Sequence, residues 1–466
     1  MRTGAGSFSA PVRRRSDRRL RRAGGSTRPC DGLAQMREST WGKDIGRFHD
    51  ILAHAIPHSR RLVEQLSGAI PTYPIASNAL RALACPIHRQ IGGPTHPERA
   101  ATEDDMDLGL TEEQELLKNF ARDFLTNECT EKLVRDMEED ERGYTDDLWN
   151  GMANQGWMGL ITAEELGGAG LSFLDLCVLL EEFGRALVPG PYINTVLTAA
   201  FVEALGSDAQ KQQYCTAVAA GQHVMTFALT EPSARFDSSG IETTAAADGD
   251  GFVLNGTKLF IPDAHVADTI LVAARTPGSE GDEGVSLFLV PGNAEGLSTT
   301  VLQTIAADKQ CEVKLDGVRV GADAVLGEAG NAWGMIEIAK RYYTVAYCAY
   351  LVGLAQRDFE ISVDYAKERI QFGRPIGSFQ AIQHKAADMI TDVDGSRFIM
   401  YRAAWAVTEG EDDADLQVAM AKAWCSDATR RVVAHGQQIH GGIGFTKEYI
   451  IQLYFRRQKR AELFWG

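Results

Sequence analysis

The chain is 466 residues long, 44% hydrophobic and 24% charged, which is the composition of a water-soluble globular protein of two to four domains. Its formal net charge of −16 is unevenly placed, with 17 Lys and Arg against 10 Asp and Glu in residues 1–105 but 30 against 53 in the remainder. An acidic body of that kind excludes a nucleic-acid-binding core, because phosphate recognition needs a basic face.

The first stretch, "RRRSDRRLRRAGGSTRP" (13–29), is rich in Arg, Ser and Gly and has no apolar core of the kind a secretory signal requires. It reads as a disordered basic tail, a mitochondrial transit peptide or a nucleic-acid arm. Pro and Gly break residues 45–95 repeatedly, so 1–105 is expected to be a basic, disordered extension. From Met106 the text becomes helical. Thr111 can cap a helix whose Gln114 reaches back to the cap amide, and Leu116, Leu117, Phe120 and Phe124 follow at helical spacing. "LSFLDLCVLLEEFGRAL" and "TVLTAAFVEAL" continue a helical domain over 106–225.

Between 226 and 327 the period changes to that of strands. Asn255-Gly256, inside "GFVLNGTKLFI", is a strong hairpin signal, and "TILVAAR", "VSLFLVPG" and "CEVKLDGVRV" add further strands. Long helical stretches return over 328–466. The apolar run Tyr343–Ala355 is shorter than the about 18–20 residues of a membrane span and reads as a buried helix. With no βαβ alternation and no G-x-G-x-x-G, a Rossmann nucleotide site is not expected. Eight cysteines without C-x-x-C or metal-ligand spacing point to reduced, mostly buried thiols and no metal site.

Four stretches in order, "GGAGLSFLDLCVLLEEFGRAL" (167–187), "ALTEPSARFDSSGI" (228–241), "YAKERIQFGRPIGSFQAIQHKAADM" (365–389) and "QQIHGGIGFTKEY" (437–449), together resemble the acyl-CoA dehydrogenase family. The resemblance covers 106–466 and implies an α+β protein: an N-terminal helical domain, a middle β domain and a C-terminal four-helix-bundle domain. It further implies FAD as cofactor, oxidation of an acyl-CoA to the 2-enoyl-CoA, a homo- or hetero-tetramer, and an electron-transfer flavoprotein or similar acceptor. The setting is the bacterial cytoplasm, or alternatively the mitochondrial matrix. The wording "IHGGIGFT" resembles a bacterial branch that pairs subunits to act on bulky acyl-CoAs.

Carried residue by residue, the resemblance places Phe227, Leu229 and Thr230 at the flavin ring, with Phe260 covering its face. Arg369 falls at the FAD pyrophosphate across a subunit interface, with Phe372 and Gln380 beside the same cofactor, and Gln438 and Gly442 at its adenine–ribose end. Read alone, Arg369 is equally a solvated helix partner and "HGGIGF" a helix C-cap. Two departures stand out. Arg235-Phe236 replaces a small Gly-Ser pair, and Phe260-Ile261-Pro262 replaces Trp-Ile-Thr, removing a hydroxyl and a backbone donor.

The reaction needs a carboxylate base whose pKa is raised by an apolar pocket. The family's two positions for that Glu are occupied here by Trp465 and Tyr343, and nearby Glu462, Glu448 and Glu337 point elsewhere on their helices. Three functions follow: an acyl-CoA dehydrogenase, alone or within a heteromer; a silent subunit that supports FAD for a Glu-bearing homologue; or a flavin oxidase or monooxygenase on the same fold.

Overall fold

The computed structural model describes residues 109–465, so the expected extension over 1–105 and the start at Met106 lie outside the described residues. Helices come first: α1 (Glu112–Glu128), α2 (Glu131–Glu139), α3 (Asp146–Asn154), α4 (Phe173–Ala186) and α5 (Tyr192–Leu205), followed by short helical turns over 208–219. The expected capping box is present. Gln114 N donates to Thr111 Oγ1 at 3.2 Å, and Thr111 N donates to Gln114 Oε1 at 3.0 Å. The apolar spacing of α1 was less faithful to burial: Leu116 and Phe120 are exposed, while Ala121 and Leu125 are buried and Phe124 packs edge-on against Trp157. Helical spacing identifies a face, and the surrounding elements decide which of its edges is covered.

The middle of the chain forms an eight-stranded sheet in the order β6-β7-β3-β2-β4-β5-β8, with β1 (Met225–Ala228) parallel to β4. Its other strands are β2 (Thr244–Asp248), β3 (Gly251–Pro262), β4 (Thr269–Arg275), β5 (Val285–Pro291), β6 (Leu297–Leu302), β7 (Gln310–Gly321) and β8 (Val325–Leu326). The predicted hairpin at Asn255-Gly256 is not a turn. β3 runs straight through it, and the β2–β3 turn falls at Gly249 and Asp250. Asn255-Gly256 instead marks a register shift in the pairing with β7. A Cβ at Gly256 would come within 2.4 Å of Thr243 Oγ1, and Asn255 Oδ1 accepts from Gly317 N at 2.8 Å. The pair is there for close approach across strands, which a local turn rule cannot distinguish from a hairpin.

Four helices complete the chain: α6 (Trp333–Glu368), α7 (Gln380–Glu409), α8 (Ala414–His440) and α9 (Ile451–Leu463). The apolar run on α6 is buried as expected, and among the described residues no helix is long and apolar enough to cross a membrane. α6 also joins this bundle to the first helices. A Cβ on Gly353 of α6 would lie 1.7 Å from Glu181 O of α4, and one on Gly184 of α4 would lie 1.9 Å from Tyr350 O. Two glycines at one crossing let the backbones touch. All six described cysteines are buried and unbridged; Cys30 and Cys85 lie outside the described residues.

Candidate functional site

Phe227 and Leu229 are buried on and just after β1, and Thr230 follows with 7% exposure. The turn beyond them is held by a residue pair that the sequence reading missed. Glu231 accepts from Lys258 Nζ at 2.6 Å and from the backbone N–H groups of Glu242 and Thr243 at 2.9 and 3.1 Å. Lys258 has no exposed surface and also donates to Leu229 O at 3.3 Å. Burial pushes its pKa down and the Glu231 carboxylate opposes that shift. Both charges are hydrogen-bonded, which is the condition under which a buried pair is tolerated. Alternation along β3 puts Lys258 on the inner face, but only the fold shows its partner.

Phe260 stands where β3 breaks register with β7 between Lys258 and Ile261. Its φ of 56° is left-handed, which is costly for an aromatic residue, and its ring is half exposed. Leu259 N donates to Thr230 O at 2.9 Å, so Thr230 and the Phe260 bulge are backbone neighbours. The Thr230 hydroxyl makes no hydrogen bond to another described residue, while the Pro262 carbonyl accepts from Thr226 Oγ1 at 2.7 Å. A bulged ring beside an uncommitted hydroxyl can receive the face and edge of a planar ligand.

The two positions where a base was sought meet in one aromatic cluster. Trp465 lies 4.7 Å from Tyr343, 4.8 Å from Phe464 and 5.9 Å from Phe227, measured between ring centres. The Tyr343 hydroxyl shares a 2.8 Å hydrogen bond with Thr198 Oγ1, and burial pushes its pKa far up, so it cannot accept a proton at neutral pH. Two of the three neighbouring carboxylates are otherwise engaged. Glu462 accepts from Lys459 Nζ at 2.7 Å and Gln458 Nε2 at 3.1 Å, Glu337 pairs with Lys340 at 3.0 Å, and Glu448 is exposed. The Phe236 carbonyl accepts from Lys340 Nζ at 2.7 Å.

The remaining predicted residues lie on a different part of the chain. Arg369 caps the end of α6 and is exposed. Strands β9 (Ile370–Gln371) and β10 (Arg374–Pro375) form a small hairpin whose two loop residues, Phe372 and Gly373, have φ of 54° and 77°. That is the geometry of a tight hairpin loop, and Phe372 at its tip is 92% exposed. Gln380 opens α7 and is exposed. Gln438 and Gly442 flank the end of α8, where a Cβ on Gly442 would meet nothing within 4 Å. Gln438 lines an open groove with Gln437, Gly441, Phe445 and Arg456, and the buried Gln437 Oε1 has no partner there. Among the described residues no hydrogen bond or ring contact joins the hairpin to the cluster around Phe227. The Arg369 guanidinium likewise has no ion pair or hydrogen bond among them.

The site thus combines a strained aromatic bulge at the edge of a β domain with an exposed Arg-bearing hairpin in the helical part that follows it. Family models for the N-terminal, middle and C-terminal domains of acyl-CoA dehydrogenase match residues 111–222, 226–318 and 342–466. The chain is 34% identical to a 3-(aryl)acrylate reductase of Clostridium sporogenes, over 77% of this chain and 96% of that protein. It is 30% identical to a short-chain specific acyl-CoA dehydrogenase of Clostridium acetobutylicum, over 78% and 96% respectively. Among solved structures it is similar to the ChsE4–ChsE5 complex from Mycobacterium tuberculosis, with a TM-score of 0.71 and 30% identity over 78% of this chain and 95% of that one. The chain belongs to the acyl-CoA dehydrogenase family, whose cofactor is FAD and whose members act on CH–CH donors.

Proposed function

We propose that this chain is an FAD-supporting subunit of a heteromeric acyl-CoA dehydrogenase, and that the carboxylate base of the complex belongs to a homologous partner chain. FAD supplies the hydride acceptor for oxidation of the acyl-CoA to its 2-enoyl thioester. The observation that carries the reading is the Tyr343–Trp465 contact, which fills both base positions with rings and leaves no carboxylate among the residues of that cluster. Removal of the proton beside the thioester carbonyl needs such a carboxylate.

The residues that would hold FAD fit the group in two separate sets. Thr230 presents a hydroxyl and Phe260 a ring face, and the backbone of Phe227 and Leu229 lines the same edge. Arg369 offers an unpaired cation suited to a pyrophosphate, and Phe372 an exposed ring. Gln380 stands beside them. Gln438, with the open space over Gly442, leaves room for a ligand to lie against the backbone. The second set projects from the hairpin and the end of α8, which supports a role at the cofactor of a neighbouring subunit in a tetramer. Electrons would leave to an electron-transfer flavoprotein or similar acceptor. Bacterial relatives favour a cytoplasmic setting.

The test is co-expression with a Glu-bearing homologue. The heteromer is expected to retain FAD and to react with acyl-CoA, while Arg369→Gln in this chain alone lowers FAD affinity by about ten-fold or more, the loss of a charge-assisted contact. A homologue that binds FAD and reacts equally well without this chain would contradict the proposal.

A further inference from the structure

One to two helical turns beyond Tyr343 on α6, roughly 6–10 Å along the axis, Tyr347 and Tyr350 line an internal cavity. Opposite them stand Asp263 and Asp308, from the β3–β4 and β6–β7 connections, and Arg457 and Arg460 of α9. Tyr347 also packs on Phe464, with ring centres 4.1 Å apart, so a single aromatic layer lies between the cavity and the Trp465 cluster.

Most of its polar groups are satisfied. Asp308 accepts from Arg460 Nε at 2.8 Å, Gln310 Nε2 at 2.8 Å and Thr304 Oγ1 at 2.6 Å. Two groups are not. Arg457 is 7% exposed and its buried Nε–H has no partner. Its nearest acid, Glu138 at 3.7 Å, already receives Arg456 Nη2 at 2.9 and 2.8 Å. Asp263 is also 7% exposed, has a left-handed φ of 54°, and its carboxyl makes no hydrogen bond or ion pair to another described side chain. A buried donor without a partner is costly unless something satisfies it, and Asp263 stands in the lining of the same cavity.

We propose that this cavity is a binding site for a carboxylate, presented either by a free small acid or by the far end of an acyl thioester. The Arg457 guanidinium is the charge-assisted donor. Burial pushes the Asp263 pKa up to about 7, so the second open group can donate a proton to the ligand rather than repel it. The lining carries three cations, Lys309, Arg457 and Arg460, against two acids, of which Asp308 is paired with Arg460, and that balance favours an anion over an amine. The site is separate from the missing base and holds whether this chain or a partner carries out proton abstraction; only the acyl-thioester source rests on the family reading.

The probes are adipyl-CoA, hexanoyl-CoA and free adipate, titrated calorimetrically into the full-length FAD-loaded protein. Adipyl-CoA is expected to bind about ten-fold or more tighter than hexanoyl-CoA, the value of one charge-assisted hydrogen bond. Arg457→Gln should abolish the difference, and Asp263→Asn, which keeps a donor, should preserve it. Adipate binding with the same dependence on Arg457 identifies a free acid as the source. Equal affinity for the two thioesters together with no adipate binding overturns the inference, and that wild-type comparison decides without any variant. Failure of both thioesters to bind would instead count against the acyl-CoA reading, with adipate still deciding for the cavity.

Discussion

The ring of Tyr343, in the first half of α6, lies 4.7 Å from that of Trp465, two residues past the end of α9. These positions are separated by more than a hundred residues in the chain, and both were singled out because the family places a carboxylate at one or the other. That they touch explains why either position can serve: each aims at the same point beside Phe227. Here both are rings packed with Phe464, and Tyr343 is bonded to Thr198, so an aromatic cluster against the hydrophobic core stands where a carboxylate was expected.

Buried acids outside this cluster give the protein a defined pH response. Asp358 on α6 has no exposed surface and no well-formed hydrogen bond to either carboxylate oxygen, and burial raises its pKa well above the usual carboxylate range, with the nearby Ser362 hydroxyl opposing the shift only in part. In the unfolded chain it would ionise near pH 3.9. Its contribution to stability is therefore intact below about pH 4 and is lost as pH rises toward the folded value, at up to ~1.4 kcal/mol per pH unit. Asp358→Asn removes that slope. Its melting temperature should equal or trail wild type near pH 4.5 and exceed it at pH 7.5, as followed by circular dichroism; parallel profiles would show that Asp358 is ionised in the fold.

The crossing of α4 and α6 predicts a different kind of sensitivity. A methyl group on Gly353 would overlap the Glu181 carbonyl, with 1.7 Å to the oxygen and 2.5 Å to the carbon, and backbone cannot move aside as a flexible side chain does. Gly353→Ala should cost about 3 kcal/mol or more, at the upper end for overpacked cores. Chemical denaturation would show a lowered midpoint. A change below about 0.5 kcal/mol, the range of an ordinary surface substitution, would mean that the helices can separate at this point.

Much of the architecture was legible in the chain because it is specified locally. The capping box of Thr111 and Gln114, the apolar run of α6 and the strands "TILVAAR" and "VSLFLVP" all rest on neighbours a few residues apart. Features fixed by distant partners were misread or missed. Asn255-Gly256 has hairpin chemistry, yet its glycine is required by Thr243 and its asparagine by Gly317. Nothing local marks Lys258 as buried, because its partner Glu231 lies 27 residues away in the chain. At the site, sequence reasoning found Tyr343 and Trp465 individually and not their contact. Asp263 gave no signal, because Arg457, Arg460 and Tyr347, which line the same cavity, come from helices later in the chain.

The central claim, that this chain supports FAD without owning a base, is tested most directly by mixing the purified, FAD-loaded chain anaerobically with a series of acyl-CoA thioesters and recording the flavin absorbance. The account predicts that the oxidised spectrum persists for the lone chain and bleaches only when a Glu-bearing homologue is present. Bleaching of the lone chain by any acyl-CoA, at a rate proportional to its own FAD content, would contradict it.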